Sequence, residues 1–160
     1  MINIHIICVG KLKEKYFKDA CAEYIKRLSR FAKLKITELA DEPIPERASA
    51  SEEKDVLQKE GRKILAAVGA NETVTALCVE GRQMSSPAFA RHLSDCALSG
   101  KSNLAFIIGG SLGLSEEVKA RSQLRLSFSE MTYPHQLMRV ILLEQIYRSY
   151  RIIQGEPYHK

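Results

Sequence analysis

The sequence predicts an α/β domain built on a parallel sheet, and two features of the 160-residue chain support this fold class. Five short apolar runs alternate with five stretches of helical character, an order typical of parallel strands joined by helices. Hydrophobic residues make up 45% of the chain and charged residues 27%, as in a globular protein with a buried core. This length predicts a single domain covering residues 1–160, because cores divide only above roughly 250 residues.

The predicted strands are short runs of apolar and β-branched residues bounded by polar residues or glycine. INIHIICV ends at Gly10, and TVTALCVEG ends at Gly81. LKITELA alternates between apolar and polar residues, whereas LAFII is uniformly apolar, as expected for a strand buried on both faces. In chain order the strands are predicted at 2–9, 34–40, 73–81, 104–108 and 124–128.

Each strand is followed by a predicted helix. In the first helix, apolar residues recur in steps of three and four, which indicates an amphipathic helix. Serine caps and prolines in the first turn indicate where the later helices begin. The prolines of segment 41–55 predict an exposed loop before the second helix. In chain order the helices are predicted at 16–32, from Ser49 or Ser51 through Val68, from Ser86 as N-cap with Pro87 to Gly100, from Ser115 through Val118, and from Pro134 to about Ile153.

Charge and cysteine content narrow the classes of function. Lys plus Arg number 24 against 19 Asp plus Glu, and the resulting charge of +5 hints at a polyanionic partner. The first positive charges follow the N-terminal apolar stretch, the reverse of a secretory signal, and no apolar run reaches the roughly 18 residues of a membrane span. A cytoplasmic protein without a membrane segment is therefore expected. The cysteines form no CxxC pair and have no histidine at ligand spacing, which favours buried thiols and no metal site.

Candidate binding residues follow three of the strands, because parallel sheets bind ligands beyond the carboxyl ends of their strands. These segments are 79–81, 109–113 and 129–134. The middle one, GGSLG, allows backbone amides to approach a ligand and leads into a helix N-terminus. It matches neither GxxxxGK[ST] nor GxGxxG and contains no lysine, which argues against a nucleoside triphosphatase. A tight turn alone would also explain its glycines.

The last predicted helix is apolar on several sides and therefore needs cover from its own core or from a second subunit, which suggests a homodimer. Within it, Glu144 and Arg148 are spaced i, i+4, with Arg151 nearby. They form either a surface salt bridge or an arginine group held by a carboxylate to bind phosphate. His135 at the helix start either packs or takes part in a site. His159 belongs to a terminus that frays unless it is docked.

Several segments together are similar to one known family. FIIGGSLGLS, LSFSEMTYPHQLMRVILLEQIYRSYRI and GEPYHK, together with ICVGKLKEKYFKDACAEYIKRL and VTALCVEGRQMSS, resemble the RlmH family, the ribosomal RNA large-subunit methyltransferases H. The resemblance covers essentially the whole chain and is densest from 104 to 160. It implies a SPOUT-class fold, in which helices cover both faces of a parallel sheet and the C-terminal part forms a trefoil knot. It also implies a homodimer.

The resemblance further implies a reaction and its cofactor. Members transfer a methyl group from S-adenosyl-L-methionine (SAM) to N3 of a pseudouridine in 23S ribosomal RNA, and they act on the assembled ribosome. The absence of lysine from GGSLG agrees with a cofactor that carries no phosphate. Matched position by position, the cofactor-binding residues are Leu77, Gly109, Phe128, Ser129, Glu130, Met131, Thr132 and Tyr133.

Methylation at N3 requires the proton on that nitrogen to leave, so a general base or donors to the ring carbonyl oxygens would help. His159, Tyr158 and Arg148 are the hypothesised lining of the base pocket, with the tail reaching the cofactor site of the partner subunit. His135 is a second candidate, beside His159, for the general base or for the residue that orients the base. Phosphate contacts with the RNA are expected from Arg139, Arg148, Arg151 and Lys160.

Two alternative functions stay open at this point. A non-catalytic ribosome- or RNA-binding α/β protein would keep the basic charge without binding a cofactor. An α/β enzyme acting on a small nucleotide or another metabolite would make the basic charge incidental. Binding of SAM and a requirement for ribosomes distinguish these functions from the methyltransferase.

Overall fold

The computed structural model describes residues 1–160, and strands alternate with helices along the whole chain. The strands are β1 (Ile2–Val9), β2 (Ala32–Leu39), β3 (Thr73–Gln83), β4 (Asn103–Ile108) and β5 (Leu124–Ser127). The helices are α1 (Lys15–Leu28), α2 (Ala50–Ala67), α3 (Ser86–Leu98), α4 (Glu116–Arg121) and α5 (His135–Ile153). The predicted order of strands and helices is confirmed.

All five strands belong to one parallel sheet, in the order β2-β1-β4-β3-β5. The interior strand β1 is buried on both faces: Ile4 and Ile6 belong to one hydrophobic core, and Ile7 and Val9 to the other. The first core includes residues of α1, α3 and α5, and the second includes residues of α2 and α4. The predicted parallel sheet with helices on both faces is therefore confirmed.

Serine side chains cap three of the helices. Ser49, one of the two serines predicted to start α2, caps that helix, and Ser115 caps α4 as predicted. The prediction for α3 is wrong by one residue, because the cap is Ser85 and not Ser86. The hydroxyl of Ser86 instead donates a hydrogen bond to Gln145 Oε1 of α5, at 2.8 Å. The local sequence, in which Pro87 follows Ser86, does not show this contact with α5.

Strand β3 does not end at Gly81, as predicted, but continues to Gln83 after a bulge. Leu77 and Arg82 both lie opposite Leu126 of β5, so the residues between them are looped out of the hydrogen-bonded ladder. Glycine at position 81 permits a close approach of the two strands. A Cβ on Gly81 would lie 2.8 Å from backbone atoms of β5.

Replacing Gly81 by alanine is expected to lower the free energy of unfolding by about 2 kcal/mol, because the atoms that the new Cβ meets are backbone and cannot move aside. Denaturant unfolding followed by circular dichroism measures the change. Gly69→Ala is the matched control, since the nearest atoms there belong to the Glu72 side chain and not to backbone, at 3.3 Å. Equal losses at the two positions would contradict the prediction.

The cysteines are all free: Cys8, Cys21 and Cys96 are buried, and Cys78 is half-buried. Burial raises the pKa of the Cys8 thiol to about 11, so that this thiol stays protonated near neutral pH. The prediction of buried thiols is confirmed for Cys8, Cys21 and Cys96. No His, Cys, Asp and Glu side chains are grouped in a way that could hold a metal ion. None of the helices is long and apolar enough to cross a membrane.

Candidate functional site

A cavity of about 650 Å³ lies at the edge of the sheet where β3, β4 and β5 end. This volume is in the range of small-molecule binding sites. The walls come from the β3 bulge at 77–80, the loop at 108–114, the segment after β5 and the first turn of α5, and half of the lining residues are hydrophobic. The three strand ends that the sequence identifies as candidate binding segments therefore meet in one cavity.

The loop after β4 is folded back on itself. A Cβ on Gly109 would lie 2.5 Å from the carbonyl oxygen of Gly113 and 2.8 Å from its carbonyl carbon. Gly113 has a φ of +84°, in the left-handed region that favours glycine, and its N–H donates to the carbonyl oxygen of Gly110 at 3.1 Å. Because glycines have no side chains, this part of the wall consists of backbone.

The loop after β5 is closed by serine side chains. Ser127 Oγ donates to the carbonyl oxygen of Ser129 at 2.9 Å, and the backbone N–H of Met131 donates to Ser129 Oγ at 3.0 Å. Met131 is 73% exposed at the rim of the cavity. Glu130 is exposed and does not line the cavity. The other residues predicted at this loop do line it: Phe128, Ser129, Met131, Thr132 and Tyr133.

One pair of opposite charges lies in the cavity wall. Lys119 Nζ of α4 forms an ion pair with Glu80 of the β3 bulge and lies 3.5 Å from Glu116. The hydrogen bond from Lys119 lowers the pKa of Glu80. The same hydrogen bond raises the pKa of Lys119, so both groups are ionised at neutral pH. The sequence reasoning missed Lys119, because no motif distinguishes it from other lysines on a helix surface.

His135 begins α5 and lines the cavity. Its ring packs so closely against Gly10 that a Cβ there would lie 2.9 Å from His135 Cε1. Partial burial, together with the positive charges of Arg139 and Lys13, lowers the pKa of His135. The ring is therefore neutral at pH 7, the state in which one of its nitrogens can accept a proton.

Arg139 is buried, so the expectation that it contacts RNA phosphates is wrong. Only 3% of its surface is exposed. Its Nη1 donates to Glu38 Oε2 at 2.8 Å, and its Nη2 donates to the carbonyl oxygen of Gly10 at 3.3 Å. Arg139 instead links α5 to β2 through Glu38 and to the loop after β1 through Gly10.

Replacing Arg139 by methionine is expected to destabilise the protein by about 2 kcal/mol at pH 7. This is less than the cost of breaking a fully buried ion pair, because the Glu38 side chain is 35% exposed. Burial alone would raise the pKa of Glu38, but the hydrogen bond and charge of Arg139 outweigh burial and lower it. A lowered pKa adds stability at neutral pH that is lost as the carboxylate protonates below about pH 5. Urea unfolding from about pH 6 to pH 3 should therefore show a steeper acid loss for the wild type. Parallel pH profiles would contradict this assignment.

The C-terminal tail is docked on α5 through a group of side chains that we call the tail cluster: Glu144, Arg148, Tyr158 and His159. Arg148 donates from Nε and Nη2 to Glu144 Oε1, at 2.9 and 2.6 Å. The hydroxyl of Tyr158 donates to the same oxygen at 3.2 Å, and the Arg148 guanidinium lies 4.8 Å from the centre of the Tyr158 ring. The i, i+4 pair therefore organises the tail in addition to bridging the helix surface.

The hydrogen bonds of the tail cluster assign its protons. Arg148 Nη1 lies 3.2 Å from His159 Nδ1. Because arginine can only donate, Nδ1 is the acceptor and the ring proton of His159 is on Nε2. Burial, with a contribution from Glu144, raises the pKa of Tyr158 to about 12, so its hydroxyl stays protonated. The cluster therefore presents hydrogen-bond donors, not a free base.

The cavity and the tail cluster lie at opposite ends of α5. Tyr150, near the end of α5, stacks on Phe31, which directly precedes β2, so the helix ends at the opposite edge of the sheet. Between His135 and Arg148 the helix rises about 20 Å. The cavity contains Leu77, Gly109, His135, Phe128, Ser129, Met131, Thr132 and Tyr133, whereas Arg148, Tyr158 and His159 lie outside it.

Comparisons with known proteins agree on one family. A family model described as Predicted SPOUT methyltransferase matches residues 2–159. A protein of Clostridium novyi named Ribosomal RNA large subunit methyltransferase H is 61% identical over 99% of this chain and 100% of its own length. Proteins of the same name from Clostridioides difficile and Clostridium kluyveri are 56% and 55% identical, with the same coverage.

A solved structure shares the fold. A methyltransferase from Legionella pneumophila, in complex with the bound cofactor SAM, superposes with a TM-score of 0.52 at 12% identity. The match covers 93% of this chain and 66% of that one. At this identity the likeness supports the fold alone, whereas the family model and the full-length relatives establish the family. The chain is a member of the SPOUT methyltransferase family and, within it, of the RlmH group.

Proposed function

We propose that this protein transfers a methyl group from SAM to N3 of a pseudouridine in 23S ribosomal RNA, in the cytoplasm and on the assembled ribosome. One observation carries the proposal: the cavity collects every residue predicted to bind the cofactor except Glu130. The names of the full-length relatives support large-subunit ribosomal RNA as the substrate. The single domain and the trefoil knot expected of the family stay predictions.

The cavity has the chemical groups that SAM requires. Its hydrophobic walls and the glycine backbone at 109–113 suit an adenine ring and a thioether. The Glu80–Lys119 pair suits the ammonium and carboxylate groups of the amino-acid end. When bound, the cofactor supplies an electrophilic methyl group on a positively charged sulfur and leaves as a neutral thioether.

The protein must then align N3 with the methyl group and manage the N3 proton. We assign the acceptance of the N3 proton to His135, because its ring is neutral and lies in the cavity wall. We assign stabilisation of the developing ring anion to His159 Nε2–H and Arg148, because both present donors suited to a ring carbonyl oxygen. Tyr158 shares Glu144 with Arg148 and so helps to hold the guanidinium in place.

A homodimer would join the two halves of this site. Within one chain the tail cluster lies outside the cavity, with Arg148 about 20 Å along α5 from His135. The half-buried Leu137 and Ile141 lie on the same face of α5 as Glu144 and Arg148, following the i, i+4, i+7, i+11 spacing of a helix. A second copy packed antiparallel on this face would cover it and bring each tail to the cavity of the other chain. Light scattering should then give twice the 18.0 kDa mass of one chain.

The decisive experiment is mass spectrometry of ribosomal RNA from cells with and without this gene. We expect one pseudouridine to lack a methyl group when the gene is absent, and the purified protein with SAM to restore it on ribosomes from those cells. An unchanged RNA mass would refute the proposal. Calorimetry that detects no SAM binding would favour a non-catalytic RNA-binding protein, and methylation of free nucleosides would favour a small-metabolite enzyme.

The histidine roles are tested by His159→Ala, His135→Ala and the double variant on ribosomes. Each single variant is expected to lower turnover roughly 100-fold, the usual contribution of a proton-transferring or oxyanion-stabilising group. His159→Ala should leave the affinity for SAM unchanged. Wild-type turnover of the double variant would remove histidine from the mechanism.

A further inference from the structure

A basic surface beside the cavity has no role in the chemistry proposed above. The segment from the end of β1 into α1 reads KLKEKYFK, and its lysines are all exposed. Lys15 pairs with Asp19 at 2.7 Å. We call the other three, Lys11, Lys13 and Lys18, the lysine patch. No carboxylate lies within ion-pair distance of any of them.

The lysine patch borders a second cavity of about 560 Å³ between α1 and β2. Lys11 and Lys18 line this cavity, and its floor is largely apolar. Its remaining charged residues, Glu38 and Arg139, are paired with each other at 2.8 Å. The cavity therefore keeps a net positive charge from the two lysines.

Hydrogen bonds hold the loop of the lysine patch next to the main cavity. The backbone N–H of Lys13 donates to Gln136 Oε1 at 2.9 Å, and Arg139 Nη2 donates to the carbonyl oxygen of Gly10 at 3.3 Å. Gln136 and Arg139 belong to the helix that begins at His135 in the main cavity. Lys13 is close enough to His135 for its charge to contribute to the lowered pKa of that ring.

The arginines of α5 are, in contrast, already paired within the chain. Arg139 is buried against Glu38, Arg148 binds Glu144, and Arg151 forms an ion pair with Glu156. Unlike these arginines, Lys11, Lys13 and Lys18 keep positive charges that no carboxylate of the chain pairs with. Exposed, unpaired ammonium groups bind phosphates without sequence specificity and release counterions when they do so.

We propose that the lysine patch binds the sugar-phosphate backbone of the RNA that flanks the nucleotide held in the main cavity. This inference rests on the proposed function and adds to it the surface that positions the substrate. The exposed Tyr16, at 65% exposure between the lysines, offers an aromatic face on which an unpaired base can stack. The patch is formed by α1 and the loop after β1, apart from the face of α5 proposed for the second copy.

The test measures methylation of ribosomes from cells that lack the gene, with Lys11→Glu/Lys18→Glu against the wild type. We expect the KM for ribosomes to rise about tenfold at moderate salt, and the slope of log KM against log salt to fall by roughly 1 to 2. The dissociation constant for SAM should change less than twofold. Lys33→Glu/Lys35→Glu is the matched control, because these exposed, unpaired lysines carry the same charge. They alternate along β2 with Ile36, which lines the second cavity, so they lie on the other face of the sheet.

Each outcome decides the inference. A rise in KM for Lys11→Gln/Lys18→Gln that is smaller than the rise for the glutamate double variant would support a phosphate contact. Intact SAM binding would show that the variants are folded. A double variant with the KM and salt slope of the wild type would overturn the proposal, and so would an equal rise in KM for the control variant. Failure of the wild type to methylate ribosomes would instead refute the proposed function.

Discussion

Alanine at Gly109 is expected to lower methyl transfer roughly 100-fold and to weaken SAM binding, because a displacement of about 1 Å in a binding loop has effects of this size. The new Cβ would lie 2.5 Å from the carbonyl oxygen of Gly113. The two nearest atoms belong to the backbone of Gly113, so they cannot rotate away as a side chain would. The loop must therefore open. Calorimetry with SAM and turnover on ribosomes measure the two effects.

The control for Gly109→Ala is Gly69→Ala, at an exposed glycine distant from the cavity. Circular dichroism should show both variants folded, since the Gly109 clash is confined to one loop. We expect the control to bind SAM as the wild type does. If Gly109→Ala also kept wild-type affinity, the glycine loop would not be part of the cofactor site.

Glutamine at Glu144 is expected to reduce turnover roughly 100-fold without changing the affinity for SAM. Glu144 Oε1 accepts two hydrogen bonds from Arg148 and one from Tyr158, so the charge of one carboxylate organises the whole tail cluster. Glutamine keeps the shape but removes that charge, which releases Arg148 and with it His159. SAM binding is unaffected because the cluster lies outside the cavity of its own chain.

The chain offers a matched control for Glu144→Gln in Glu23→Gln. Glu23 and Arg27 form an i, i+4 pair at 2.9 Å on α1, with 52% and 40% side-chain exposure. Exposed pairs of this kind contribute only about 0–1 kcal/mol, so turnover should stay within twofold of the wild type. Nitrogen NMR of the His159 ring reports the tautomer directly. Unchanged His159 signals in Glu144→Gln would contradict the assigned role of Glu144.

Several features were predictable because they depend on neighbours in the sequence. The run LAFII predicted a buried strand, and the structure places β4 at Asn103–Ile108. Ser49 was one of two predicted caps for α2, and its capping box with Glu52 is local. The candidate binding segments were also local in origin, since each directly follows a strand.

The bulge in β3 and the burial of Arg139 could not be predicted in this way. The bulge depends on how β5 pairs with β3, and only glycine at position 81 allows the two backbones to approach. Arg139 has the sequence context of a surface arginine on an amphipathic helix. Its burial depends on Glu38, which lies 101 residues away along the chain and becomes its neighbour only after β2 joins the sheet.

By itself, the sequence determined the alternation of five strands and five helices, the segments at the strand ends and the family of the chain. Periodicity, capping and turn chemistry act over a few residues, so they can be predicted without a fold. Only the tertiary structure decided which charges are free and which are paired. Arg139 is paired with Glu38 across 101 positions of sequence. Desolvation and ion pairing of this kind depend on distances that exist only in the folded chain.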